Sequence, residues 1–164
     1  MVEREKILSI LQSIPDPEIP VLAITDLGII RNINIVSAGK SVEIEITPTY
    51  SGCPAMDMIT MNIRMQLMKE GYKDVIITKV LAPAWTTDWM TENGRQKLKA
   101  YGIAPPGNSV SIDPSVLFAE EVKVQCPQCN SWNTQLISEF GSTSCKSLYR
   151  CNSCMEPFDH FKCH

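Results

Sequence analysis

Four cysteines in two pairs carry the plainest chemistry in the chain. Cys126-Pro127-Gln128-Cys129 and Cys151-Asn152-Ser153-Cys154 are Cys-x-x-Cys pairs with 21 residues between them. Each pair can supply two thiolates from one tight knuckle, and four thiolates so arranged suit a tetrahedral zinc ion. An iron–sulfur cluster also takes four thiolates, and the spacing alone admits both. A redox dithiol reading of one pair leaves the other unexplained. Asn130 and Met155 follow the two pairs, where such knuckles often place glycine. Asparagine tolerates positive φ and methionine does so poorly, so the second knuckle is expected to be the less regular. Cys145 and Cys163 are left over and read as spare or buried thiols, with Cys163 and His164 the weaker alternative ligands.

The seventh cysteine, Cys53, stands alone in the first 125 residues, inside Thr47-Pro48-Thr49-Tyr50-Ser51-Gly52-Cys53-Pro54. Val42 to Thr47 alternates apolar and polar, as a half-buried strand does. After Pro54 the apolar spacing turns helical, through Met58, Met61, Met65 and Met68. Proline suits the first helical position, which puts Cys53 at the N-cap. Free N–H groups and the positive dipole end there favour a thiolate, so a lowered pKa is expected. The carboxylate of Asp57, one turn on, would oppose it. The plain alternative is a small buried residue in a strand–helix turn. Asp16, Glu18 and Thr49 are candidates to assist Cys53; for the acidic pair, a rigid turn over Pro15-Asp16-Pro17-Glu18-Ile19-Pro20 is the simpler account. The only histidines are His160 and His164, so the main domain cannot build a Cys–His nucleophile dyad.

The elements that must hold these residues follow from periodicity. Residues 3–13 read as a helix with Ile7, Ile10, Leu11 and Ile14 on one face. Thr25-Asp26-Leu27-Gly28 is a turn. Ile29–Val36 and Val42–Thr47 form an antiparallel pair around a turn at Ser37-Ala38-Gly39-Lys40. A helix runs from Pro54 to about Lys69 and stops at Gly71. Its methionine stripe is read as core packing. Asp74–Leu81, apolar on both faces, is expected to be a central strand. Trp85 and Trp89 suit either a partner surface or the core. Glu92–Tyr101 is a last helix, and an arm follows Ala104-Pro105-Pro106-Gly107.

The order helix, strand, strand, helix, strand, helix describes a compact α+β domain over residues 1–104. A linker or extended arm is expected over 105–124 and a zinc ribbon over 125–164. In the ribbon, Thr134–Phe140, Cys145–Arg150 and Pro157–Cys163 read as strands. A module of this size buries too little core to fold alone, so its metal must help hold it.

Bulk numbers exclude several classes. The chain has 164 residues, 44% of them apolar, without the long apolar run of a membrane span. Its first residues do not resemble a secretory signal, and six of seven cysteines lie at or after position 126. Metal or thiol chemistry in a reducing, cytoplasmic compartment is therefore expected rather than a disulfide frame. Net charge is −3, and the ribbon balances Lys146, Arg150 and Lys162 against Glu139, Glu156 and Asp159. No basic patch remains to hold nucleic acid.

These segments together carry a resemblance. Asp16-Pro17-Glu18, Asp26-Leu27-Gly28 and Thr47–Pro54 resemble the iron–sulfur assembly domain family that includes SufT-like proteins. The Ala82–Thr91 segment, Tyr101-Gly102-Ile103-Ala104-Pro105-Pro106 and the ribbon ending Glu156-Pro157-Phe158-Asp159-His160-Phe161-Lys162 resemble the PaaD family of phenylacetate-degradation proteins. The resemblance implies an accessory component of the phenylacetyl-CoA epoxidase system. It would help mature a metal centre in the reductase or oxygenase subunits rather than turn over substrate. Cys53 would then be a transient iron or cluster ligand, beside a structural zinc at Cys126, Cys129, Cys151 and Cys154. A stable cluster needs about four ligands. One Cys53 per chain would be completed by a second subunit in a homodimer, by a small thiol or by the client. The competing readings are a structural adaptor of the epoxidase complex and a cysteine-dependent acyl-CoA hydrolase.

Overall fold

A computed structural model describes residues 2–36, 41–107 and 123–162. The turn at Ser37–Lys40, most of the 105–124 arm and the terminal Cys163-His164 lie outside the described residues. The chain divides into two compact units: one runs to Trp85 and includes Trp89–Gly94, and the other takes Thr86–Asp88 and the chain from Arg95 on.

The first unit builds one sheet and two helices in the order α1 (Val2–Gln12), β1 (Ile30–Val36), β2 (Ser41–Ile46), α2 (Ala55–Lys69), β3 (Asp74–Lys79). β1 pairs antiparallel with β2, with Ile33 opposite Ile44. β3 lies parallel to β2 on its other side, with Ile44 opposite Ile77. A parallel pair needs a long crossover, and α2 supplies it. The strand expected to be central, Asp74–Leu81, is thus an edge strand, and β2 holds the middle. Alternation within β2 explains why. Val42, Ile44 and Ile46 are fully buried while Glu43 and Glu45 face solvent. β3 leaves Ile76 exposed, which an edge permits.

Helix α2 packs Ile59, Ile63 and Leu67 into the core against the sheet. Burial of each such side chain contributes about 1.5–3 kcal/mol. The helix stops at Gly71, whose positive φ of 97° takes the chain out of helical geometry. The methionine stripe is a correction. Met58, Met61, Met65 and Met68 are 56, 60, 57 and 54% exposed, on the side of α2 away from the core. Only Met56 packs inward, because isoleucine and leucine already fill the buried stripe.

The Asp26-Leu27-Gly28 turn is a structural clasp. Asp26 is buried and accepts hydrogen bonds from the Ala23 N–H at 3.0 Å, the Thr91 hydroxyl at 3.2 Å and the Asn93 amide at 3.2 Å. Gly28 has φ of 68°, and a Cβ there would stand 2.0 Å from the Trp89 carbonyl oxygen. Trp85 is core, its indole N–H donating to the Leu27 carbonyl at 2.8 Å. The Arg31 guanidinium lies 3.6 Å from the centroid of the half-buried Trp89 ring. The tryptophans are therefore occupied within this unit.

The second unit carries the last turns of α3 (Glu92–Ala100) and a sheet of β4 (Thr134–Ser138), β5 (Lys146–Cys151) and β6 (Pro157–Phe161), antiparallel throughout in that order. Ala104 joins the edge of this sheet: its N–H donates to Asp159 at 2.8 Å and its carbonyl accepts from Phe161 at 3.0 Å. One buried cluster of this unit joins Ala104, Val124, Tyr149 and Phe158 with Cys126 and Cys151, and Phe161 is buried as well. Tyr149 stacks on Phe158 at 5.9 Å and meets the His160 ring edge-on at 5.6 Å. Two of the six residues of this cluster are cysteines, so its packing depends on what binds their sulfurs.

Candidate metal centre and thiol site

In the second unit, two backbone knuckles aim four sulfurs at one point. Asn130 and Met155 both take positive φ, 60° and 67°. The second knuckle is therefore as regular as the first, against expectation, and Met155 bears the strain that glycine would avoid. The Asn130 N–H closes the first knuckle on the Cys126 carbonyl at 2.9 Å. The N–H groups of Ser153 and Cys154 point at the Cys151 sulfur at 3.4 and 3.5 Å. Ser131 and Ser153 join the knuckles through their hydroxyls at 2.8 Å.

The sulfurs of Cys126, Cys129, Cys151 and Cys154 all lie within 4.8 Å of one another. Across the knuckles, Cys126 meets Cys154 at 3.8 Å and Cys129 meets Cys151 at 3.5 Å. Ligands about 2.3 Å from one tetrahedral zinc stand about 3.8 Å apart. The donor set fits a single metal ion, whereas a multi-iron cluster spreads its cysteines over several irons. The Cys154 N–H, with Ser153 adding to it against the effect of burial, brings the Cys151 thiol down to about 6. Cys126 and Cys151 are buried and Cys129 is exposed, so the site has a dry floor and an open rim. Cys145, expected to open a strand, is buried in the turn before β5 and meets the Thr143 hydroxyl at 3.0 Å, apart from the four.

The thiol site belongs to the first unit. Pro54, not Cys53, is the N-cap of α2, with φ −68° and ψ −23° and no side-chain cap. Pro54 already has helical φ and ψ, so the difference from expectation is one residue at the helix boundary. Cys53 stands just outside, half-buried. Burial, first of all, pushes its thiol up rather than down. The Ala55 N–H and the Tyr50 hydroxyl donate toward the sulfur and pull the other way, while the carboxylates of Glu18 and Asp16 add to the rise. The expected thiolate at a helix terminus is thus overruled by desolvation and by two acids.

Asp16 and Glu18 are thereby brought within electrostatic reach of Cys53. Asp16 is buried and also fixes its own turn, accepting the N–H groups of Glu18 at 2.9 Å and Ile19 at 2.8 Å. Asp57, expected to oppose a thiolate, instead bonds Lys79 at 2.7 Å, and that bond holds its carboxyl below the usual range. Thr49 lies half-buried in the same turn. Two neighbours escaped the sequence reading. Tyr50 donates toward Cys53, and Thr47 is buried with its Oγ1 lacking a hydrogen-bond partner among the described residues. Their place in the turn was visible; their orientation depends on tertiary packing.

A half-buried thiol flanked by carboxylates disfavours a bare anion and favours a cation. Metal binding would displace the thiol proton and offset the same acids that raise its pKa.

Comparison with known proteins places both units. Residues 4–75 match the family described as "Iron-sulfur cluster assembly protein", and residues 111–162 match the "PaaD zinc beta ribbon domain". An Escherichia coli K12 protein described as a putative subunit of 1,2-phenylacetyl-CoA epoxidase is 51% identical over 161 residues, 96% of this chain and 92% of its own. A Porphyromonas gingivalis "Fe-S protein maturation auxiliary factor" is 38% identical over 95 residues, 57% of this chain and 89% of its own. The crystal structure of a DUF59 domain of unknown function from Bacillus anthracis superposes with a TM-score of 0.55 at 21% identity, covering 59% of this chain and 92% of that one. That likeness is one of fold. No helix among the described residues is long and apolar enough to cross a membrane.

Proposed function

Because the chain belongs to the PaaD family, in which an iron–sulfur cluster assembly domain precedes a zinc beta ribbon, we propose that it is a maturation factor of a phenylacetyl-CoA epoxidase system. It assists assembly of an iron–sulfur or iron centre in the reductase or oxygenase, in aerobic phenylacetate degradation in the cytoplasm, and does not itself turn over substrate. The observation that carries this reading is the environment of Cys53: half-buried, beside Tyr50, with Asp16 and Glu18 raising its thiol pKa.

That environment suits reversible capture of iron. The thiol stays protonated until a cation arrives, and iron replaces the proton. The acids of Asp16 and Glu18 favour the bound cation electrostatically, and the Tyr50 hydroxyl steadies the sulfur. One thiolate makes an incomplete ligand set, which a client's own cysteines can complete and then take over. The four ribbon cysteines hold a separate, structural zinc, whose work is to fold the ribbon. The ribbon faces protein partners.

The test is to produce the epoxidase reductase and oxygenase with the wild-type chain or with Cys53→Ser, and to measure iron and cluster content in each client. A fall in one client, with the accessory protein folded and present, supports the reading and identifies the centre served. Undiminished loading of both clients rejects it.

A further inference from the structure

Two arginines of the first unit share a cleft. Arg4 stands in the first turn of α1, with Leu8 one turn further along the same face, and Arg31 enters from β1. Ile30 and the polar side chains of Thr25 and Asn32 add to the lining. The cleft holds about 160 Å³. Pockets for drug-sized ligands run to roughly 300–1,000 Å³, so only a small group fits here.

Arg31 is aimed into the cleft by a break in its strand. Ile30 pairs with Ile46 and Asn32 with Glu45, so Arg31 is an extra residue with no partner on β2. Such a bulge re-aims a side chain. The Trp89 ring, its centroid 3.6 Å away, then braces the guanidinium. A guanidinium resting on a ring uses its flat face and keeps its N–H donors at its edge.

The positive charge is not answered from within the chain. Neither arginine pairs with a carboxylate among the described residues, where the ion pairs shown join Lys6 to Glu70 and Lys79 to Asp57. No acid lines the cleft. Glu3 accepts the Tyr72 hydroxyl at 2.6 Å, and Asp26 is held in its clasp. Glu5, next to Arg4, and Glu45, opposite Asn32 on β2, stay outside the lining.

We infer that this cleft binds a phosphate group in its dianionic form. Two fixed positive charges match two negative ones, where a carboxylate would leave one uncompensated. The arginine edges, the Thr25 hydroxyl and the Asn32 amide are all donors, suited to a group with oxygens on several sides. Leu8 and Ile30 supply an apolar wall for the first carbons of a phosphate ester. The cleft uses neither Cys53 nor its acids, so the inference is independent of the maturation reading.

The test is titration of the full chain with phenyl phosphate, inorganic phosphate and benzoate, followed by NMR through the amide shifts of Thr25 and Asn32. Phenyl phosphate should move both saturably, and benzoate should bind more weakly. Arg4→Gln and Arg31→Gln should each weaken phenyl phosphate binding about tenfold or more, the effect of losing one charge-assisted hydrogen bond. Binding should also weaken as pH falls through about 6, where a phosphate ester takes up its second proton. Inorganic phosphate separates the sources. Binding as tight as that of the ester assigns the cleft to the free ion, and weaker binding assigns it to an ester seated on Leu8 and Ile30. The inference is overturned if neither phosphate gives a saturable shift, if benzoate binds as tightly as phenyl phosphate, or if binding is indifferent to both glutamines. Arg31 also braces Trp89, so if Arg31→Gln unfolds, Arg4→Gln, at an exposed helical position, decides.

Discussion

The sulfur of Cys129 lies 3.5 Å from that of Cys151, a cysteine of the other knuckle. Thiols that bring no cation to such a contact repel as they ionise, so the geometry asks for a metal. We expect about one zinc per chain, the stoichiometry of one four-thiolate site. Cys126→Ser should unfold the ribbon, seen by loss of amide protection there, while the first unit keeps its helices. Elemental analysis giving iron at these four residues would contradict the assignment.

Cys53 should resist alkylation near neutral pH. Burial and the two acids raise its pKa, so the midpoint of alkylation rate against pH should lie above the ordinary thiol value of about 8.5. Glu18→Gln should move that midpoint down. The sign for stability follows: a folded-state pKa above the unfolded one leaves stability intact below about pH 8.5 and erodes it as pH rises through the folded value. The measurement needs a variant that lacks Cys145 and Cys163 and keeps the ribbon cysteines. A midpoint below 8.5 would restore the helix-terminus argument.

His160 is buried, and desolvation, with Lys162 adding to it, holds its pKa down to about 4. The unfolded chain therefore binds a proton that the fold refuses. Stability from this group is complete above about pH 6.5 and falls as pH drops toward 4, by at most about 3 kcal/mol. NMR titration of its ring should show no midpoint near 6.5, and a normal midpoint would reject the buried neutral ring.

Gly28→Ala should destabilise the first unit by at least about 2 kcal/mol, since it adds a collision with the Trp89 carbonyl to a positive φ. Chemical denaturation gives the figure. A neutral substitution would mean that the Asp26-Leu27-Gly28 clasp yields easily.

The physical reasons for what the sequence showed differ from element to element. Strand β2 alternates strictly, and its alternation is its burial. The ribbon was legible because metal ligands have fixed spacing. The parallel β2–β3 pairing was not, because Val75-Ile76-Ile77 looks the same in a centre or an edge strand. The methionine stripe misled because helical spacing cannot say which of two apolar faces turns inward. For Cys53, local sequence reports the helix terminus, while burial and the approach of Asp16 and Glu18 belong to the tertiary fold. Asp57, close in sequence, was taken by Lys79.

The most direct test of the central claim is the metal content of the epoxidase reductase and oxygenase made beside Cys53→Ser. The variant should fold and keep its ribbon metal, since core and ribbon do not use this thiol. Serine, a harder and far less acidic ligand, should handle iron poorly. The account predicts a client depleted in iron or cluster and a matching loss of phenylacetyl-CoA turnover. Full loading and full turnover with the serine variant would contradict it.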